Sequence, residues 1–304
     1  MNFNNIIGNE DLKHLFNNSI SSNNRVHSYM FVGPDGIGKS IFAKDFAEKL
    51  LCLSDNKACG TCSSCIKFES GNHPDFVVLD SEDGKNIKIG QVRQMQEQIA
   101  EKPIVSDNKV FIINNSDLMT VEAQNCLLKT LEEPPSYAVI ILTLSNENKL
   151  LNTIKSRCTK ITFKGLTNSE LTNYAKLHNI ETTAELLEAS NGSISKLIQL
   201  KENIEAYKSL DTIINKLSSG DIIDVWNNAE ILYKSKDTIN NLLDYFNVIF
   251  FNKLRKTNEI KYINSIKIVE LTKNRLSANA NYDMCIDNLL LKIWEEFNEN
   301  NNRS

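Results

Sequence analysis

The eight residues Gly33-Pro34-Asp35-Gly36-Ile37-Gly38-Lys39-Ser40 restrict this chain more than any other stretch. They fit G-x-x-x-x-G-K-S in full. The apolar run Tyr29-Met30-Phe31-Val32 precedes them and reads as a buried strand. The segment Ile41 to Leu51 follows, with apolar residues at 42, 43, 46, 47 and 50, which is helical spacing. Strand, glycine loop and helix form the context in which backbone N–H groups cradle phosphate oxygens at a helix N-terminus. Gly33, Gly36 and Gly38 make the turn, Lys39 reaches the β- and γ-phosphates, and Ser40 binds Mg²⁺. The expected cofactor is ATP or ADP with Mg²⁺.

Hydrolysis needs carboxylates as well, one for the Mg²⁺ shell and one to polarise water. The strand that should carry them is Lys109-Val110-Phe111-Ile112-Ile113, and it runs into Asn114 and Asn115. Neither amide can take a proton from water or bring charge to a metal. Loss of a general base removes about 10²–10⁴-fold in rate. Asp117 stands further along the chain and reads as a poor substitute, and Asp80, after the second strand, is the rival acid. The chain is expected to bind nucleotide and to hydrolyse it poorly.

Four cysteines follow the loop: Cys52, Cys59, Cys62 and Cys65. The spacing C-x₆-C-x₂-C-x₂-C, with Gly60, Thr61, Ser63 and Ser64 between the thiols, suits one tetrahedral Zn²⁺. No acid or histidine nearby marks an open catalytic position, and His73 reads as a surface residue before Pro74. The zinc is therefore expected to be structural. Disulfides are the alternative, but no secretory signal is evident, so a reducing, cytoplasmic setting is expected. Cys126 and Cys285 read as helix-interior residues.

At 304 residues the chain can bury a large core and divide into two or three domains. It is 41% hydrophobic, without an apolar run long enough for a membrane span, and reads as soluble. A net charge of −4 speaks against a protein that grips nucleic acid alone. DNA contact is expected only as shared with partner subunits. The Asn300-Asn301-Asn302 tail reads as a frayed terminus.

Short apolar runs alternate with helical stretches up to residue 164: Tyr29–Val32, Phe76–Leu79, Val110–Ile113, Ala138–Leu142 and Lys160–Phe163. This alternation predicts an α/β domain with a parallel sheet, its ligand at the carboxyl ends of the strands. After Gly165 the pattern is all-helical. Helices are predicted to start at Asn168, to span Thr183–Ser190 before Gly192, and to span Asp221–Tyr233 and Thr238–Leu254. The apolar stripes of the last two, with no catalytic side chains among them, predict a packing or assembly domain.

His27 to Pro34, the cysteine module, Leu127-Leu128-Lys129-Thr130-Leu131-Glu132-Glu133-Pro134-Pro135 and Ser156-Arg157-Cys158 occur in this order. The set resembles the bacterial clamp-loader subunits of the AAA+ class over about residues 1–200, and best its delta-prime branch in DNA polymerase III. The remainder matches only in being helical.

The resemblance implies an AAA+ P-loop domain over 1–164 with a zinc module at 52–65, a helical lid over 165–205 and a helical collar over 206–304. It implies that Arg157 is an arginine finger donated in trans to a neighbour's ATP, and that Ser145 senses the γ-phosphate. In the second sensor region Ser195 stands in place of an arginine, leaving Lys196 as the basic residue. Implied partners are gamma/tau and delta subunits in a hetero-pentamer, the sliding clamp, and primer-template DNA through the assembly, with no membrane. No independent activity is expected, only membership of a DNA-directed DNA polymerase holoenzyme. An active gamma/tau-like motor is the main rival, and Asn114-Asn115 speak against it. A small-molecule P-loop kinase would need an arginine-rich lid, and residues 165–200 contain no arginine.

Overall fold

The computed structural model describes residues 3, 6–21, 26–55, 58–81, 85–202, 204–219 and 221–298. The asparagine tail lies outside the described residues. The chain forms two compact units, one of residues 1–170 with 192–194, the other of 171–191 with 195–304.

Among the described residues the first unit holds five parallel strands: β1 (Ser28–Val32), β2 (Phe76–Leu79), β3 (Lys109–Ile113), β4 (Ala138–Leu144) and β5 (Thr159–Thr162). Their order across the sheet is β2-β3-β4-β1-β5, which agrees with the AAA+ class that the motifs resemble. The helices of this unit are α1 (Glu10–Ser21), α2 (Lys39–Leu51), α3 (Ser63–Glu69), α4 (Ile89–Ala100), α5 (Val121–Glu132) and α6 (Asn152–Lys155).

Strand residues alternate between two cores, as the two-residue period of a strand requires. Met30 and Val32 of β1, Phe111 and Ile113 of β3, and Ile140 and Leu142 of β4 pack with α4 and α5 residues Val92, Met95, Ala123 and Leu127. Tyr29, Phe31, Val110, Ile112, Val139 and Ile141 face the other way, onto Phe16, Phe42, Phe46 and Leu50. There Phe42 is fully buried. Its ring lies 4.4 Å from Phe3, 5.2 Å from Phe16 and 5.2 Å from Phe163, centroid to centroid. Phe31 of β1 joins the cluster, its ring 5.9 Å from that of Phe42, so the aromatic group anchors α2, and with it Lys39 and Ser40, to β1.

The second unit is helical: α7 (Asn168–Leu177), α8 (Ala184–Ala189), α9 (Ile194–Glu202), α10 (Ile204–Ser219), α11 (Ile222–Asn228), α12 (Glu230–Lys234), α13 (Ile239–Thr257), α14 (Ile260–Ser277) and α15 (Tyr282–Asn298). α7 begins just before the contact boundary. The stripe predicted in α13 is buried at Ile239, Leu242, Leu243, Phe246 and Phe250. The single helix predicted over 221–233 is two, broken at Ala229, whose φ −88° and ψ 4° leave the helical range. The apolar stripe alone did not register that break, because Val225, Ala229 and Leu232 are buried in the same core on both sides of it. No helix among the described residues is long and apolar enough to cross a membrane.

Phe42→Ala is expected to cost about 3–5 kcal/mol, as for a fully buried aromatic truncated in a packed core. Urea denaturation checks this, and a loss below about 1 kcal/mol would contradict the packing described.

Candidate nucleotide and metal sites

Parallel pairing sets Val32 opposite Leu144 and Ile113 opposite Leu142. The segments that leave β1, β3 and β4 therefore emerge at one sheet edge. Gly33 N–H donates to Leu144 O at 3.3 Å. A Cβ on Gly33 would meet Phe163 O at 2.6 Å, so the turn admits no side chain there. Gly36 and Gly38 sit at φ +72° and +94°, the left-handed region that glycine enters without steric cost. Gly38 is the N-cap of α2, and its carbonyl accepts from Phe42 N–H at 2.9 Å. The loop thus opens onto a helix N-terminus, as phosphate binding requires.

Lys39 is buried and folds back on its own loop, donating to Gly33 O and Pro34 O at 2.7 Å each. Burial pushes its pKa below the ordinary lysine value, while Asp35 and Asp117 pull it back up. An anion in the loop would replace those carbonyls as the partner of the ammonium. Ser40 Oγ donates to Asn114 Oδ1 at 2.9 Å, and Thr143 Oγ1 donates to the same oxygen at 3.2 Å. An amide therefore meets the Ser40 hydroxyl at the strand end where hydrolysis would need a carboxylate. These residues fit a nucleotide with Mg²⁺: backbone N–H groups and Lys39 for phosphate, Ser40 for the metal.

Three residues join this edge that the motif did not single out. Asp80 accepts from Asn114 Nδ2 at 3.0 Å and from Asn115 Nδ2 at 3.4 Å. Asp117 is near, not remote: the 3-10 turn Ser116–Leu118 curls it back beneath the strand ends. Its Oδ2 accepts from Ser145 Oγ at 3.1 Å and from Asn146 N–H at 3.2 Å. Ser145 is thus held at the exit of β4. The reversal at Asn115, with φ +48°, was the available signal, since asparagine tolerates that conformation. Thr143, inside a uniformly apolar-looking strand, gave no signal.

Arg157 follows α6, apart from the loop. It pairs with Glu132 at the end of α5 (NH2 to Oε1, 2.5 Å) and donates through NH1 to Thr153 O at 2.9 Å and Ser156 Oγ at 3.3 Å. About a third of its side chain is exposed (33%), so the guanidinium is held but reachable. In the second unit Lys196 is paired with Asp244, which also accepts from Lys273.

The four cysteine sulfurs lie within 4.8 Å of one another. Cys52 Sγ and Cys62 Sγ are 4.0 Å apart. Four thiolates at about 2.3 Å from a tetrahedral zinc stand about 3.8 Å from each other, so this donor set fits such an ion. Cys62 N–H donates to Cys59 Sγ at 3.4 Å, and Cys65 N–H to Cys62 Sγ at 3.4 Å. Backbone and hydroxyl donors of Thr61 bring the Cys59 thiol down to about 6, which favours the thiolate a metal needs. Ala58 and Gly60, at φ +59° and +72°, bend the chain around the sulfurs.

His73 is not the surface residue expected. It is buried, with Nδ1 accepting from Asp75 N–H at 3.0 Å and Nε2 at 2.8 Å from Ser64 Oγ. Nδ1 is then the unprotonated nitrogen, and Nε2–H donates to Ser64. Burial lowers its pKa, consistent with this neutral form. Ser64 and Ser106 hydroxyls both donate to Leu51 O, at 2.7 and 2.6 Å, and Asn108 donates to Leu50 O at 2.9 Å. These side chains satisfy the last carbonyls of α2, which have no partner within the helix. The buried Asp75 carboxylate accepts from the N–H groups of Ile104, Val105 and Ser106. The cysteine module is thus fastened to the sheet through buried polar groups, and His73 serves that fastening.

Elemental analysis of the purified chain is expected to give about one tetrahedral metal ion, and Cys62→Ser is expected to lose it and lower the melting temperature. Metal-free protein with an unchanged melting temperature would contradict the assignment.

A family model described as DNA polymerase III, delta subunit, matches residues 8–167. The delta' subunit of DNA polymerase III from Bacillus subtilis (strain 168) is 33% identical over 202 residues, covering 66% of this chain and 61% of that protein. The delta' subunit from Pseudomonas aeruginosa is 39% identical over 135 residues, covering 43% of this chain and 41% of its own. The tau/gamma subunit from Haemophilus influenzae is 30% identical over 244 residues, covering 76% of this chain and 35% of its own. The chain therefore spans between about a third and under two thirds of these relatives' lengths.

Proposed function

We propose that this chain, which belongs to the DNA polymerase III delta-subunit family, is a delta'-type, non-motor subunit of a cytoplasmic clamp loader. In this reading it binds ATP or ADP with Mg²⁺, does not turn it over alone, and completes a neighbour's ATPase site. Its partners are gamma/tau and delta subunits in a hetero-pentamer, which loads a sliding clamp onto primer-template DNA. The carrying observation is a complete phosphate loop whose Ser40 hydroxyl meets Asn114, with Asn115 beside it. Both positions hold amides, and an amide neither charges the metal shell nor accepts a proton from water.

Binding residues in this reading are Gly33, Gly36, Gly38, Lys39, Ser40 and Ser145. Cys52, Cys59, Cys62 and Cys65 hold a structural Zn²⁺, since four thiolates leave no open coordination position. Residues 165–205 serve as a lid and 206–304 as the collar that joins subunits. Exposed apolar side chains on the collar helices, Phe251, Ile260, Leu271 and Met284, support an assembly role for the latter.

Arg157 acts in trans. Its planar guanidinium offers paired N–H donors to the charge developing on a neighbour's γ-phosphate. Glu132 holds it ready. That pair is partly solvent-exposed on both sides, so its exchange for a phosphate costs little.

The second reading is an active gamma/tau-like motor. It draws support from the Haemophilus influenzae relative and from the Asp80 carboxylate beside Asn114. Asp80 already accepts hydrogen bonds from Asn114, Asn115 and Ser81, and Asn114 stands between it and Ser40, which weighs against it as the base.

In a reconstituted loader, Arg157→Ala is expected to lower clamp- and DNA-stimulated ATPase by up to about twofold, since a loss of about 10³–10⁵ at one of several sites removes only that site's share of the rate. Folding, metal content and this chain's own nucleotide affinity should be unchanged. Arg157→Lys should not rescue, since a point charge lacks the planar fork. Equal rates for all three versions would remove the trans role.

A further inference from the structure

Asp80 lies outside the phosphate-loop motif, yet the side chains of that site converge on it. β2 and β3 pair with Leu79 opposite Ile113, and Asn114 N–H donates to Leu79 O at 2.8 Å. The next residue on each strand, Asp80 and Asn114, is thereby brought abreast. Asn114 turns two different atoms to its two neighbours. Its Oδ1 accepts from Ser40 Oγ at 2.9 Å and Thr143 Oγ1 at 3.2 Å, and its Nδ2 donates to Asp80 Oδ2 at 3.0 Å. A carboxylate only accepts, so the amide nitrogen has to face Asp80. Asn115 Nδ2 and Ser81 N–H supply further donors to Asp80 Oδ1, at 3.4 and 2.8 Å.

The two asparagines are therefore more than missing acids. They are the donors that seat a carboxylate one side chain away from the Mg²⁺-binding serine. An aspartate at 114 would instead set two carboxylates against each other, which like-charge repulsion disfavours. Asp80 is exposed, hence open to hydrated ions. Mg²⁺ sheds its water reluctantly and is commonly held by one or two carboxylates with several waters retained.

We propose that Asp80 supplies the negative charge that Asn114 lacks, acting through water on Mg²⁺ bound with nucleotide at Ser40. In this reading the carboxylate of the site stands at the end of β2 and not at the end of β3. The assignment rests on the nucleotide reading above.

The test is calorimetric titration of the full chain with ADP, which needs no hydrolysis, in Mg²⁺ and in EDTA. In the wild type, Mg²⁺ tightens binding. Asp80→Asn is expected to lose about tenfold of that gain, the scale for one exposed carboxylate acting on a divalent ion across a water, with affinity in EDTA unchanged. Adding Asn114→Asp to Asp80→Asn returns a carboxylate to the end of β3 and is expected to restore the gain. Asp80→Asn that keeps the full Mg²⁺ gain overturns the proposal. So does an equal loss in EDTA, which would place the effect on the fold or the nucleotide rather than the ion. ADP binding insensitive to Lys39→Ala under both conditions overturns the nucleotide reading itself, and the Asp80 role with it.

Discussion

Val32 beside Leu144, and Leu79 beside Ile113, fix where the strand-end residues of the candidate nucleotide site stand. Parallel strands end together, so the residue after each strand arrives at the same edge: Gly33 after β1, Asp80 after β2, Asn114 after β3 and Ser145 after β4. A one-residue slip in any pair would turn these side chains to the opposite face. The register is held by burial on both faces of β1, β3 and β4, which are buried along their whole length. Phe42 and its aromatic neighbours then fix α2 against β1, which sets Ser40 opposite Asn114 and Lys39 back on the loop.

Two polar systems grow from that frame, and their burial separates their roles. The His73, Ser64, Ser106 and Asp75 group is buried, and its hydrogen bonds are satisfied within the chain by N–H groups and by Leu51 O. Buried polar groups without partners are costly, so a satisfied set of this kind rigidifies its surroundings. It fastens the cysteine module to the body. The Asp80 and Arg157 groups face solvent, where ion pairs are weak and partners exchange readily. The cysteine module is thus rigidly held, while Asp80 and Arg157 make contacts that can exchange.

Much of this was legible from residue order. The strands and the glycine loop were, because short apolar runs between helical stretches have few other solutions. The cysteine cluster was, because close spacing forces four thiols together. Residues that depend on chain reversal were not. Asp117 returns through the turn after Asn115, and a linear reading places it too far along. His73 before Pro74 has the look of a surface turn, whereas its two ring nitrogens are taken up by Asp75 N–H and Ser64. Glu132 could not be matched to Arg157, since α5 and α6 meet only through the fold. The break at Ala229 was hidden because the apolar stripe continues across it.

We propose that the nucleotide site binds without turning over, and that Arg157, apart from it, acts on another subunit. ATP turnover by the purified chain, measured alone and then with its partner subunits, tests it most directly. A background rate is expected for the chain alone, unchanged by Lys39→Ala, and a stimulated rate in the mixture that depends on Arg157. A robust rate from the chain alone that Lys39→Ala abolishes would contradict it and make the chain a motor.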